Sequence, residues 1–259
     1  MLQKIKIIFS APKPGRFIAS RLLWRTGLCR YFLIKRSGFV LRFFPSSLSA
    51  AYWIDPEDRH EDEAVISRYL GPGDTYVDVG ANIGALALCA STIVGRKGQV
   101  VAIEPHPKTY GFLAENIALN QRNNVQCLSA AVGKERGTLH IADFARQDDQ
   151  NCVTASGISV PVLPLDEILR GISRIDLLKI DVEGYELAVL EGAREVLART
   201  DAVLFEIWRT HLMKYGHTVG QILSLLREAG FRMVFPADMS SVPESFTASR
   251  CVNLLALRT

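Results

Sequence analysis

The first 54 residues contain no Asp and no Glu, yet they hold ten of the chain's thirty Lys and Arg residues. A formal charge of +3 therefore conceals a basic arm followed by a body of net charge −7. Clustered cations concentrate counter-charge, so the arm is expected to meet an anionic surface: phosphorylated glycan, lipid headgroup or nucleic acid. A solvated leader is the alternative. Phe17, Leu22, Leu23, Trp24, Tyr31, Phe32, Phe43 and Phe44 make the arm too apolar for a charged tail, so it should pack on something. On a helical projection of residues 16–36 the basic and apolar side chains do not separate, which argues against a single amphipathic anchor.

Other absences narrow the field further. The five cysteines, Cys29, Cys89, Cys127, Cys152 and Cys251, show no CxxC spacing and are odd in number. They suggest neither a disulfide framework nor a zinc site, and read as small buried hydrophobes. There is no HExxH or other concentrated ligand cluster, so no metal is expected, although paired strand-end acids are the chemistry that holds a hard divalent cation. No apolar run approaches the roughly 18 to 20 residues needed to span a bilayer. The opening MLQKIKIIFSAPKPG has too short an apolar run for a secretory signal, so the expectation is a cytoplasmic protein. Peripheral contact with an anionic membrane or a lipid-linked glycan through residues 1–54 is the companion expectation. With no internal repeat and no low-complexity tract, the chain divides into a basic aromatic extension, residues 1–54, and one α/β-sized domain, residues 55–259.

Within that domain short β-branched runs alternate with helical patterns, the signature of a parallel sheet covered on both faces. Helices are expected over residues 61–70, 85–94, 108–119 and 219–229, with one more carrying Leu187, Leu190, Ala193 and Leu197 at helical spacing. Strands are expected at 75–79, 99–103, 125–130, 177–180 and 202–206. Residues 231–235 and 251–257 follow with no helix between them, which predicts an antiparallel closing hairpin. Residues 137–165 lack helical periodicity and read as a β-containing insertion near the sheet edge. The fold class is thus α/β, doubly wound, with a seven-stranded mostly parallel sheet.

The segment Tyr76-Val77-Asp78-Val79-Gly80-Ala81-Asn82-Ile83-Gly84 is an apolar strand running into a glycine turn and then a helix N-terminus. Gly80 and Gly84 let backbone approach a ligand closely. Their GxxxG spacing is not the GxGxxG that makes room for a pyrophosphate, so a nicotinamide cofactor is disfavoured. Glu104, at the end of the next strand, lies 20 residues past Gly84. A carboxylate there can accept both hydroxyls of a ribose. Asp78 beside the turn suits a cationic ligand. A helix cap for Asp78 and an exposed strand terminus for Glu104 are the plain structural alternatives.

Together VDVGANIG, EPHPKTYGFLAENIALN, AAVG and above all LLKIDVEGYELAVLEGA resemble the motif series of the FkbM methyltransferase family, over residues 76–208. The resemblance implies a Rossmann-like class I methyltransferase fold and S-adenosylmethionine as methyl donor. It places Asp78, Gly80, Ala81, Asn82, Gly84, Glu104 and Pro105 around the cofactor, with Ala131 and Val132 near its adenine. Ser129-Ala130-Ala131-Val132 offers no acid to the adenine amino group, so Ser129 or backbone groups are expected there. The acceptor it implies is a small molecule or glycan, methylated on an oxygen.

A sulfonium is already an activated donor, so alignment supplies most of the catalysis, up to about 7 to 11 kcal/mol. A base for a hydroxyl adds roughly 10²- to 10⁴-fold. Asp181 and Glu183 end strand four beside the crevice and lead the candidates. Glu206 ends strand five, and Trp208, Arg209 and His211 follow; an aromatic there suits a sugar ring. The plain alternatives are an ordinary loop histidine for His211 and a helix cap for Glu183. Two other functions compete. A nucleic-acid methyltransferase would use the basic arm on phosphates, but Asp181-Val182-Glu183-Gly184 stands where amino-methylating enzymes carry an Asn/Asp-Pro-Pro-aromatic motif. A non-catalytic scaffold would be free to lose Asp78, Gly80 or Glu104, all of which are present.

Overall fold

A computed structural model describes residues 13–55, 57–142, 153–154 and 157–259. The first twelve residues of the basic arm, Cys152 and part of the expected insertion lie outside the described residues. Pro14 starts helix α1 (Pro14–Thr26), where its missing N–H costs nothing, and Gly27 in the left-handed region ends it. A 3₁₀ turn (Leu28–Tyr31) leads into the hairpin β1 (Leu33–Arg36) and β2 (Phe39–Arg42), then α2 (Ser47–Ile54) and α3 (His60–Tyr69).

The α/β body follows as β3 (Thr75–Val79), α4 (Ala85–Val94), β4 (Gln99–Ile103), α5 (Pro107–Leu119) and β5 (Val125–Leu128). A small second sheet comprises β6 (Ala131–Val132), β7 (Gly137–Ile141), β8 (Val153–Thr154) and β9 (Ile158–Leu163), in the order β6-β9-β7-β8. Then come α6 (Leu165–Ile168), β10 (Ile175–Ile180), α7 (Glu186–Glu191), α8 (Arg194–Ala198) and β11 (Thr200–Ile207). The chain closes with α9 (Arg209–Leu212), α10 (Val219–Glu228), β12 (Phe231–Val234) and β13 (Val252–Arg258).

The main sheet has seven strands in the order β12-β13-β11-β10-β3-β4-β5. All neighbours pair in parallel except β13, which is antiparallel to both β11 and β12. The closing pair is therefore antiparallel, and β13 is inserted between β12 and the parallel strands. Because side chains alternate along each strand, the sheet feeds two cores. Tyr76, Val100, Ala102, Leu177 and Leu204 point to one, shared with α3, α4, α5 and the β1–β2 hairpin. Val77, Val101, Ile103, Leu178 and Phe205 point to the other, under α7, α8 and α10.

Three expectations need correction. Strand three was expected to run to residue 130, but it leaves the main sheet after Leu128, and Ala131 and Val132 pair with β9 instead. The expected single helix through Leu187 and Leu197 is two short ones separated at Gly192. A Cβ at Gly192 would stand 2.1 Å from the Gly133 carbonyl oxygen, so the backbone after β6 passes against the break. The expected edge insertion is a distinct sheet, whose inner residues Ala131, Ile141, Val160 and Val162 form a core of their own.

The arm packs through its apolar residues: Phe39, Leu41, Phe43 and Phe44 are buried, and Phe44 stacks on Phe112 of α5 at 4.2 Å. Buried Asn116 clamps the junction. Its Oδ1 accepts from the Arg42 backbone N–H at 2.8 Å, and its Nδ2 donates to the Ile83 carbonyl at 2.8 Å. Replacing it leaves two buried backbone groups unsatisfied, each costing about 1 to 3 kcal/mol. Asn116→Ala should therefore lower unfolding free energy by roughly 2 to 4 kcal/mol in urea titration, with an unchanged m-value.

Candidate active site

The strand alternation that builds the first core also builds the site. On that face Tyr76 is followed by Asp78, Leu177 by Lys179 and Asp181, and Leu204 by Glu206. Each strand is thus apolar near its start and charged at its carboxyl end, where open α/β sheets bind ligands. Register puts Lys179 directly opposite Asp78. The Lys179 Nζ lies 3.5 Å from Asp78 Oδ1 and 3.2 Å from Asp181 Oδ2; Lys179 and Asp78 are shielded from water and Asp181 is half-buried.

Burial disfavours the charge on each of the three, but the neighbours decide the outcome. Asp181 is flanked by Lys179 and by Arg59, whose Nη1 is 3.7 Å away; these cations outweigh burial and hold its pKa below the usual value. Asp78 is less well served. Burial raises its pKa against the pull of Lys179, whose ammonium at 3.5 Å is a long, weak partner for so buried a carboxylate. Lys179 and Arg59, desolvated yet surrounded by acids, are both pushed up.

The turn after β3 is shaped by close approach. Gly80 has φ +85°, and a Cβ there would lie 1.9 Å from the Asp181 carbonyl oxygen. Asn82 also adopts positive φ, and its N–H donates to Glu104 Oε2 at 2.9 Å while the His106 N–H donates to Oε1 at 3.0 Å. Those bonds fix the Glu104 carboxyl, but its burial prevails and raises its pKa to about 7.

A cleft of about 1070 Å³, counting the open space at its mouth, lies over these strand ends. Its walls include Asp78, Gly80, Ala81, Asn82, Glu104, Pro105, Ala131, Val132, Asp181 and Glu183 of the residues singled out from the sequence. Gly84 and Ser129 are not among its walls. Gly84 instead caps α4 with a left-handed φ, and a Cβ on it would press 2.5 Å from Leu113 Cδ1, so its smallness serves packing between α4 and α5. Ser129 sits where the chain leaves the main sheet, and the neighbouring Ala130 takes the wall position.

Glu183 is not a helix cap. The helix after it starts at Glu186, whose buried Oε1 accepts from the N–H groups of Gly184 and Val182. Burial carries the Glu186 pKa to about 7. Glu183 turns the other way: its Oε2 meets His211 Nδ1 at 2.8 Å. His211 is accordingly no free loop residue; it sits on α9, its ring 4.1 Å from that of Trp208, with its pKa lowered by burial and by Lys214. Gly184 makes this junction possible, since a Cβ there would lie 2.5 Å from the His211 carbonyl. Glu206 completes the group: one oxygen each of Asp181, Glu183 and Glu206 falls within 4.8 Å of the others. Burial and then Asp181 raise the Glu206 pKa, while the Cys251 thiol donates to it. Such a trio could accept a hard cation, but two protein cations already neutralise Asp181.

Sequence reasoning missed many wall residues, among them Lys179, Arg59, Leu48, Tyr52 and Tyr185. Lys179 was visible as the one charge in the apolar run Leu177-Leu178-Lys179-Ile180. Arg59 and the α2 residues Leu48 and Tyr52 carried no motif, because they reach the cleft through the packing of the arm.

Residues 78–233 match the family model described as the methyltransferase FkbM domain. Over 191 residues the chain is 29% identical to the hexuronic acid methyltransferase AglP of Haloferax volcanii, covering 71% of this chain and 77% of that protein. It is 28% identical over 207 residues to the 31-O-demethyl-FK506 methyltransferase FkbM of Streptomyces tacrolimicus, covering 65% and 76% respectively. Among solved structures, the methyltransferase FkbM of Methylobacillus flagellatus KT aligns at 19% identity with a TM-score of 0.47, covering 80% of this chain and 52% of that one.

The residues present fit S-adenosylmethionine. The buried carboxylate of Asp78, matched only by Lys179 at 3.5 Å, suits a ligand that carries positive charge, and the Glu104 oxygens keep lone pairs for ribose hydroxyls. Asp78→Ala should weaken the calorimetric affinity for S-adenosylmethionine by about tenfold or more, as loss of a buried charge-assisted contact does. An unchanged affinity would remove Asp78 from the binding site. The raised Glu104 pKa also sets a pH window. The folded state binds this proton more tightly than the unfolded chain does, so it adds no penalty below the ordinary pKa of 4.5 and a growing one up to about 7. Stability of the ligand-free protein should fall across that window, and Glu104→Gln should flatten the fall in thermal melts.

Proposed function

The chain belongs to the FkbM methyltransferase family and uses S-adenosylmethionine, and on that footing we propose that it methylates a hydroxyl oxygen of a carbohydrate, a glycan, or a glycosylated or secondary metabolite. The observation that carries this reading is the Glu183–His211 pair. A hydroxyl must shed a proton as it takes a methyl group, and Glu183 is a carboxylate in the cleft wall backed by imidazole at 2.8 Å. The relatives' names support the same class: one acts on a hexuronic acid, the other on the 31-O position of a demethylated FK506.

S-adenosylmethionine, when bound, supplies a methyl group on a positively charged sulfur. The chain's own residues do the rest. Asp78, Glu104 and the turn through Gly80, Ala81 and Asn82 hold the donor, beside Ala131 and Val132. Glu183 accepts the acceptor's hydroxyl proton. His211, kept neutral near pH 7 by its lowered pKa, fixes the Glu183 carboxylate from behind and acts as a positioning residue. Asp181 stays ionised between Lys179 and Arg59, too well neutralised to be the base, and fixes the floor of the site. Tyr185, in the wall and braced edge-on by Tyr215 at 5.4 Å, offers an aromatic face to a sugar ring.

The direct test is transfer of labelled methyl from S-adenosylmethionine to uronic acids, neutral hexoses and amino sugars, with the methylated atom assigned by NMR. Glu183→Gln should lower kcat by roughly 10²- to 10⁴-fold, the range for losing a general base, and leave cofactor affinity within about twofold. His211→Gln should cost less and shift the acidic limb of the pH profile. Full activity in Glu183→Gln, or methylation on nitrogen only, sinks the reading.

A further inference from the structure

Of the large apolar side chains exposed among the described residues, all but Met213 fall in one stretch of the arm: Ile18, Leu22, Leu28, Tyr31, Phe32 and Leu33. Tyr31 is 83% exposed and Leu22 63%. Their exposure has a geometric origin. Helix α1 turns Leu23 and Trp24 toward the core, so Ile18 and Leu22, one turn apart, are left on the outer face. Gly27 then stops the helix, the 3₁₀ turn carries Leu28 and Tyr31 outward, and β1 begins on exposed Leu33. The patch is built from a helix face, a turn and a strand start. That is why no helical projection of the sequence separates its charge from its apolar residues.

Arg21, Arg25, Arg30 and Lys35 are exposed in the same stretch. Arg21 lies over the rings of Phe17 and Trp24, at 5.1 and 5.5 Å. The ion pairs of the arm are made by other residues, Lys13, Arg36 and Arg42. An apolar patch interleaved with charge of one sign fits a surface that offers both an apolar interior and anionic groups.

We propose that this helix–turn–strand face docks the enzyme on an anionic lipid bilayer, its six apolar side chains entering the headgroup–acyl boundary and Arg21, Arg25, Arg30 and Lys35 lying among acidic headgroups. A second copy of the chain would bring like charge against like charge on this face. Residues 1–12 carry Lys4 and Lys6 and no acid, so they bring no charge that would neutralise these cations. A soluble anion would satisfy the cations and leave the six apolar side chains wet.

Docking here sets the cleft beside the bilayer. Phe32 meets Trp53 edge-on at 5.5 Å, and Phe43 stacks on the same ring at 5.1 Å. Trp53 belongs to α2, whose Leu48 and Tyr52 line the cleft. One short helix thus joins the docking face to the site wall, as an acceptor carried on a lipid requires. The docking itself does not depend on which hydroxyl is methylated, so it stands or falls separately from the acceptor class.

The experiment is co-sedimentation of the full chain with vesicles of phosphatidylcholine alone and with about a third phosphatidylglycerol, at low and high salt. The wild type should pellet with the anionic vesicles, less so at high salt, and stay in solution with the neutral ones. Two multiple variants should each reduce that partition by about tenfold or more: Leu22→Ser with Tyr31→Ser and Leu33→Ser, and Arg25→Gln with Arg30→Gln and Lys35→Gln. All six positions are exposed, so an unchanged melting temperature separates lost docking from lost folding. No sedimentation of the wild type, or partition of either variant equal to that of the wild type, overturns the proposal. It is equally overturned by a wild-type dimer that the serine variant converts to monomer without any vesicle binding, or by binding that emerges only after residues 1–12 are removed.

Discussion

Lys179 stands in the middle of a parallel sheet, shielded from water, and a solitary ammonium there would be untenable. The idealised cost of burying such an ion is of order 20 kcal/mol, and several kcal/mol survive relaxation, unless opposite charge is at hand. The sheet supplies that charge by construction. Parallel register sets Asp78 of β3 opposite Lys179, and the strand's own alternation returns Asp181 to the same face two residues later. Removing one acid would leave a buried cation half-compensated, so the three residues form a unit. The same register that pairs them also holds the Asp181 carbonyl against Gly80, and hence shapes the glycine turn on which the cofactor cleft is built.

The charge network extends upward into the chain that precedes the sheet. Arg59, at the left-handed N-terminal boundary of α3, reaches Asp181 and Asp62; Asp62 in turn accepts from Asn253 on β13. Buried Arg36 of the hairpin pairs with Glu63 of α3 and lies over the Tyr52 ring at 4.9 Å. The arm, α2 and α3 are therefore tied to the sheet by ionic and cation–π contacts as well as by Phe43 and Phe44. Tyr52 and Leu48 become part of the cleft wall through those ties, so that wall is partly made by residues outside the span matched to the family.

This arrangement explains what the sequence disclosed and what it withheld. Runs with strict alternation or helical period, such as 75–79, 85–94 and 99–103, signal their elements because the same residues both form and bury them. Asp78, Gly80 and Glu104 were legible because a local turn and a strand end are contiguous in sequence. The break at Gly192 was hidden, since Leu187 to Leu197 keep helical spacing and only the approach of the Gly133 backbone interrupts them. The partnership of Glu183 with His211 joins residues 28 apart through the contact of two turns, which periodicity cannot register. Gly84 carries a role that the turn motif does not disclose: its missing side chain makes room for Leu113.

The balance of charge in the cleft bears on the chemistry. Asp62, Asp78, Asp181, Glu183 and Glu206 face only Lys179 and Arg59 as cations among the described groups of this network. Burial raises the pKa of Asp62, Asp78 and Glu206, the mark of carboxylates with too little positive charge nearby. Such a site is electrostatically unsatisfied until a cation enters it. Methyl transfer from a sulfonium to a hydroxyl exchanges one positive charge for another: the charge on sulfur is lost as the hydroxyl's proton is released. For the proposed transfer, a cleft with surplus carboxylate favours both states, first by attracting the charged donor and then by offering a carboxylate to take up the proton. A neutral cleft would gain nothing from the first and would oppose the second.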